Sequence, residues 1–197
     1  MIDTSVFCRQ GYAARSRIFG TALLRWVVLL VALFVLSGCQ GTEEPELMVT
    51  TDHEGWARTT TNPLTFPVPG HGSGERRIFI NPLGESVEPP ASPEEPWEYP
   101  EGTIILKEVY PSPDPPEDAP PDSLAIMVKQ PDHPMSRGGW VWLVKQPGSE
   151  DERIFTEQFC ITCHANANEE HPYGDGNPQE QFRDYVYYPY RGQDAQD

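Results

Sequence analysis

Proline most restricts what this chain can fold into. Of 197 residues 22 are proline, and all but Pro45 lie beyond residue 60. Each removes a backbone donor and fixes φ, so long helices are excluded through the middle of the chain. Six prolines fall within the eleven residues Pro111–Pro121, which makes that segment a stiff exposed loop. Between the prolines stand short β-branched or aromatic runs bounded by Gly and Pro. They are RRIFINP (Arg76–Pro82), GTIILKEVY (Gly102–Tyr110), LAIMVKQ (Leu124–Gln130) and GGWVWLVKQPG (Gly138–Gly148). In the last, Trp140, Trp142 and Val144 share one face at period two.

Helices are predicted at two places. DHEGWARTT, from Asp52 to Thr60, forms a short one with Trp56 buried. A second opens on SEDE, where Ser149 as N-cap and Glu152 three residues on make a capping box ahead of Phe155 and Phe159. The expected class is α+β: a mainly antiparallel sheet with a few short helices, the C-terminal one carrying the motif described next.

FCITCHANA, residues 159–167, places Cys160, Cys163 and His164 at i, i+3 and i+4, hence on one helix face. Two thiols followed at once by an imidazole form the attachment signature of a c-type haem, with thioether bonds at the cysteines and His164 as axial iron ligand. The alternatives are a zinc site, which would recruit a ligand from His53, His71, His133, His171 or a carboxylate, and a redox dithiol. The dithiol reading fits poorly, because such motifs open a helix after a strand. An electron-carrier cytochrome needs a sixth ligand, and the 33 residues after His164 contain no methionine. Met127 and Met135 lie upstream and read as core or loop; His71, His133 and His171 are the other candidates.

Residues 1–38 carry Arg9, Arg15, Arg17 and Arg25 and then WVVLLVALFVL, Trp26–Leu36, a run too short to span a bilayer comfortably. The run ends in LSGC, Leu36–Cys39, which resembles the lipobox of bacterial lipoproteins. It implies cleavage before Cys39 and lipidation of that thiol; an uncleaved anchor helix is the alternative. The expected organisation is a signal peptide over 1–38, a tether over 39–53 and one domain over 54–197. The mature protein would be exported and tied to the membrane through its lipid, facing the periplasm or the cell exterior. Only Cys160 and Cys163 would then remain as thiols, which excludes a disulfide scaffold. Loss of four arginines and Asp3 takes the formal charge from −16 to −19. Such a surface repels nucleic acid.

The ordered set RIFINP, EGTIILKE, MVK at 127–129, GGWVW at 138–142, the CxxCH and DYVYYPY at 184–190 resembles the cytochrome P-460 and cytochrome c′-beta family. The resemblance runs from about Trp56 to Tyr190. It implies one covalent haem c and an open iron site that oxidises hydroxylamine or a related nitrogen species. In cytochrome P-460 proteins the lysine of the matching strand is bonded to the macrocycle, and its position here is Lys107. Lys107 shares a face with Ile105 and Val109, where a lysine is costly unless it snorkels, pairs or reacts. Cytochrome c′-beta relatives lack the bond, which implies a second function, binding or sensing of NO without catalysis; electron transfer is a third. Trp140, Trp142, Phe155 and Tyr187 are the candidates for lining the haem pocket, with plain core as the alternative for such bulky side chains. Glu108 should point away from Lys107, and Asp132 lies in a QPDHP loop. A soluble electron acceptor and a homodimer are the further partners implied. ANANEEHPYGDGNPQEQFR, between His164 and Asp184, is longer than the family pattern; it could cover a haem edge, supply His171 to the iron, or form a weak calcium loop from Asp175, Asn177 and Glu180.

Overall fold

The computed structural model describes residues 48, 49 and 52–192. The expected signal peptide, Cys39 and most of the tether therefore lie outside the described residues. Six strands form one antiparallel sheet in the order β1-β2-β3-β4-β5-β6, each paired with its neighbour in sequence. They are β1 Ala57–Arg58, β2 Arg76–Ile80, β3 Ile104–Val109, β4 Ser123–Lys129, β5 Trp140–Lys145 and β6 Glu152–Phe155. Two short α-helices are present among the described residues, α1 Pro82–Glu85 and α2 Gln158–Ala165, the latter followed by a 3₁₀ turn at Asn166–Asn168. The four strands expected from sequence are β2 to β5, and the fold is the mainly β arrangement predicted.

Both faces of this sheet are covered, which is why its strands read as nearly unbroken apolar runs rather than strict alternation. On one face Ile78, Ile80, Ile105, Met127, Trp140 and Trp142 pack with Trp97, Tyr99 and Val186. On the other, Leu106, Leu124, Ile126, Val128 and Leu143 pack with Val49. The register sets Ile78 opposite Lys107 and Lys107 opposite Ala125. Lys107 thus belongs to the first face, and Glu108 to the second.

The two expected helix starts are both corrected. Residues 152–155 form β6, with Trp142 opposite Phe155 and Leu143 opposite Ile154. The open edge of β5 offers these residues a ladder of backbone bonds that a helix could not supply to it. Ser149 Oγ accepts from the Asp151 N–H at 3.0 Å in a turn. The Glu152 carboxylate accepts from the N–H groups of Met48 and Val49 at 2.8 and 2.9 Å, so the chain is docked on the sheet already at Met48. Helix α2 begins only at Gln158, with Glu157 as N-cap and no side-chain cap. Asp52–Thr60 forms a turn, closed by Trp56 N–H to His53 C=O at 3.0 Å, and then β1. Trp56 is half-buried against the second face of the sheet.

Of two left-handed glycines before β5, Gly138 lets α2 approach the sheet. Gly138 and Gly139, just before β5, have φ of +66° and +82°, conformations that side chains strain to adopt. A Cβ on Gly138 would lie 2.5 Å from Ile161 Cδ1 of α2 and 2.9 Å from Tyr185 Cε2. The irregular segment after α2 is held by side chains instead of a ladder. Asn177, fully buried, donates to the carbonyls of Ala167 and Gln181. Arg183 makes a two-pronged pair with Asp175 at 2.7 and 2.8 Å. Asp184 accepts from Lys129 Nζ at 2.6 Å, Trp140 Nε1 at 3.1 Å and Tyr99 N–H at 3.0 Å.

Candidate haem site

The first face of the sheet, α2, the loop before β2 and the segment after α2 enclose a cavity of about 930 Å³. That is within the size of cofactor pockets, about 300–1,000 Å³. Ile78, Ile105, Lys107, Met127, Trp142 and Phe155 form its sheet wall. Cys160, Cys163 and His164 reach it from consecutive turns of α2. The two thiols are not bonded to each other. The CxxC does open a helix after a strand, β6, so position does not count against a redox dithiol; but burial, with Glu157 nearby, pushes the Cys160 thiol up, the opposite of what an activated redox thiolate needs. Among the described residues no three His, Cys, Asp or Glu side chains cluster as a metal-ion site, so the zinc alternative has no ligand set.

His164 is aimed by a contact far away in sequence. Its Nδ1 lies 2.8 Å from the Tyr185 carbonyl. Since the carbonyl can only accept, Nδ1 carries the proton and Nε2 keeps the lone pair a metal requires. The carbonyl is turned to this position by two successive non-glycine residues with positive φ, Asp184 at 49° and Tyr185 at 68°. Such residues cost of order 1–3 kcal/mol each and persist only where the surroundings hold them; here the three donors on Asp184 do so. The Trp142 ring lies 4.6 Å from the imidazole and the Tyr187 ring 5.5 Å. Burial, and then the Lys107 cation, push His164 down to about 4 against the pull of the Tyr185 carbonyl, so the ring is neutral at neutral pH. Tyr187 Oη donates to the Cys163 carbonyl at 2.6 Å and so ties the same segment to α2.

Lys107 is enclosed by the cavity walls. Burial, and then the Arg76 guanidinium, push its amine down to about 7, with Cys163 opposing. The same amine acts on His71, which burial and then Lys107, His164 and Arg76 push down to about 2. Lys107, His71 and His164 thus line one cavity and feel one another electrostatically.

A haem is an apolar disc with two carboxylates on one edge, and the cavity offers both kinds of surface. Arg76 is only 1 % exposed. One of its amino nitrogens donates to the Phe66 carbonyl, while Nε and Nη1 have no protein partner. Tyr188 Oη and His171 Nε2 are likewise buried without partners, and all three residues line the cavity. Orphaned buried donors are rare in folded proteins. A guanidinium and a phenol left open on a cavity wall are what a propionate would satisfy, so the residues present fit the group.

Of the expected lining aromatics, Trp142, Phe155 and Tyr187 face the cavity. Trp140 does not; it is wholly buried in the core, bonded to Asp184 with the Lys129 cation 5.2 Å from its ring. His71 and His171 lie on the cavity wall. His53 is on the other side of the sheet, 2.8 Å from Glu108. His133 accepts from the Met135 N–H at 3.2 Å in the loop before β5, and Asp132 is exposed in the same loop. Asp175 is engaged by Arg183 and Arg191, and Asn177 Oδ1 accepts from the Gln181 N–H, so the oxygens of these two members of the weak calcium loop serve protein partners. Arg76, Asp184 and Tyr185 were not among the expected site residues. Arg76 carried a readable signal, since it shares the period-two face of Ile78 and Ile80; Asp184 and Tyr185 open the DYVYYPY stretch of the family resemblance, but nothing in that stretch marks their roles.

No curated protein matches the chain. Residues 51–188 match the Cytochrome P460 family, a stretch that takes in all the strands and α2. With the CxxCH face and the orphaned donors around one cavity, this match identifies the chain as a member of the cytochrome P460 family, whose cofactor is haem.

Proposed function

We propose that the protein is an exported, lipid-anchored cytochrome that carries one haem c and oxidises hydroxylamine or a related small nitrogen species. The observation that carries this is the convergence of Cys160, Cys163, His164 and Lys107 on one cavity in a chain of this family. Cys160 and Cys163 would hold the haem by thioether bonds, His164 Nε2 would bind its iron, and Arg76 and Tyr188 would receive the propionates. Haem bound there supplies an iron that takes electrons from a nitrogen ligand and passes them to a soluble acceptor. The chain's own residues set the conditions. The bond from His164 to the Tyr185 carbonyl fixes the tautomer and strengthens the imidazole as a donor. Trp142 and Tyr187 pack against that ring.

Lys107 is assigned to the bond with the macrocycle: its amine nitrogen would take the place of a ring hydrogen, an exchange that releases two protons and two electrons and therefore needs an external two-electron oxidant of the peroxide class. With its amine near 7, a large fraction is unprotonated at neutral pH, the form in which an amine is a nucleophile. Cys39 would place the domain at a membrane, on the periplasmic or outer side. A domain this acidic would favour a basic redox partner.

The test is a mass spectrum of the haem peptide released by proteolysis, read with the ferrous absorption spectrum. Two chain segments, one around Lys107 and one spanning Cys160–His164, should travel with one haem, and the Soret band should be strongly red-shifted. Lys107→Ala should restore an ordinary haem c spectrum, abolish hydroxylamine oxidation and keep NO binding. A haem held only at the two cysteines would overturn the enzyme reading in favour of an NO-binding cytochrome.

A further inference from the structure

A second imidazole stands next to the first. The His71 ring lies 6.3 Å from that of His164, centre to centre, with the planes 80° apart. Two metal–nitrogen bonds of about 2 Å, with about 1 Å from each ring centre to its nitrogen, sum to about 6 Å. The spacing is that of one metal ion held between two histidines. It leaves no room for a further ligand between iron and His71.

The local chain is built to present this side chain. Val68-Pro69-Gly70-His71 is closed by His71 N–H to Val68 C=O at 3.1 Å, and Gly70 has φ of +81°. Proline at the second and a left-handed glycine at the third position make a type II turn. Val68 N–H bonds Gly72 C=O at 3.2 Å, and Gly72 is left-handed too, at +71°. Phe159, the residue before Cys160, covers Gly70 so closely that a Cβ there would lie 2.8 Å from Phe159 Cε1. This contact also accounts for a phenylalanine that is 60 % exposed. The turn bearing His71 and the helix bearing the CxxCH are thus packed together. His171, the other imidazole on the cavity wall, lies against Tyr187 at 4.9 Å, with its Nδ1 accepting the Tyr173 N–H at 3.1 Å.

We infer that His71 is the sixth ligand of the haem iron in the resting protein, opposite His164, and that a nitrogen substrate or NO enters by displacing it. This rests on the attachment proposed above, with haem at Cys160 and Cys163 and His164 on the iron. A turn on a connecting loop can swing away without disturbing the sheet, which makes the His71 bond the one that yields. The iron is then capped until a ligand competes for it, unlike the open site that the family resemblance implied.

The experiment uses the full chain matured with haem, in wild-type, His71→Ala and His171→Ala forms. Ferric electron paramagnetic resonance and visible spectra should show low-spin iron in the wild type and in His171→Ala. They should show high-spin iron in His71→Ala, returned to low spin by added imidazole. Azide should bind the ferric His71→Ala protein faster than the wild type. High-spin ferric iron in the wild type, or low-spin iron persisting in His71→Ala, would overturn the assignment and leave the attachment reading standing. Absence of covalent haem from a denaturing gel stained for peroxidase activity would remove the attachment reading, and this inference with it.

Discussion

Asp184 is where the fold and the site meet, and Asp184→Ala separates their energies. The carboxylate is 2 % exposed and its partner Lys129 14 %, with N–O distances of 2.6 Å. Removing one member of a buried pair leaves an uncompensated charge and costs about 3–5 kcal/mol. The indole N–H of Trp140 and the backbone N–H of Tyr99 lose their acceptor as well. These losses overlap, so about 4 kcal/mol is a fair central value. Against a total of about 5–15 kcal/mol, this consumes a large part of the stability. At about 2–4 °C per kcal/mol for a domain of this size, the melting temperature should fall by about 8–16 °C. Thermal unfolding followed by far-ultraviolet circular dichroism measures it. Lys129→Met added to Asp184→Ala removes the stranded cation and should recover part of the loss. The haem signal gives an independent reading: without Asp184, Tyr185 keeps only the bond from its N–H to Asn168 Oδ1 at 3.3 Å, its carbonyl is held less firmly toward His164, and the ferric/ferrous midpoint potential shifts. An Asp184→Ala protein melting within 3 °C of wild type, or a double variant no more stable than the single one, would refute this reasoning.

Acid should destabilise the domain through two carboxylates. Burial alone would raise Glu108, but bonds from His53 and Tyr110 with Arg77 nearby outweigh it and hold the group below its ordinary 4.5. Arg183 and Arg191 do the same for Asp175 against burial, below 3.8. A depressed folded value stabilises above the unfolded one and loses that stabilisation as pH falls through the folded one. The melting temperature should therefore drop below about pH 4.5, with a shallower drop in Glu108→Gln; an equal slope in that variant would contradict the assignment. Cys39→Ser should release or misprocess the protein while haem stays attached, and a variant still membrane-bound at mature size would remove the lipobox reading.

What could be read from the chain divides by the range of the contacts involved. Strands β2 to β5 were legible because each is an apolar run with its own glycine or proline borders, a signal contained in the segment itself. The CxxCH motif was legible for the same reason, since five consecutive residues hold the two thiols and the imidazole. Strand β6 was not. Ser149 and Glu152 imitate a capping box, and only the unpaired edge of β5, absent from any local window, decides for a strand. Trp140 failed as a lining residue on similar grounds: alternation puts it on the correct face with Trp142, but not at the right place along that face, where Asp184 claims its N–H.

The frame of the site is long-range throughout. His164 takes its tautomer from a carbonyl 21 residues away, and that carbonyl is turned by Asp184, whose position Lys129 fixes from 55 residues away. MVK and DYVYYPY contain Lys129, Asp184 and Tyr185, but neither stretch shows locally that they meet. The physical division follows the chemistry: covalent attachment needs only a short helical face, whereas aiming a lone pair at iron needs a strained turn, and strain survives only where several distant groups hold it. His71 combines the two kinds. PGH at 69–71 is a local turn signature that could have been read, yet its meaning as a ligand comes only from the 6.3 Å to His164. Replacing Pro69 or Gly70 in this chain should therefore leave the CxxCH and the sheet in place and remove the proposed cap on the iron.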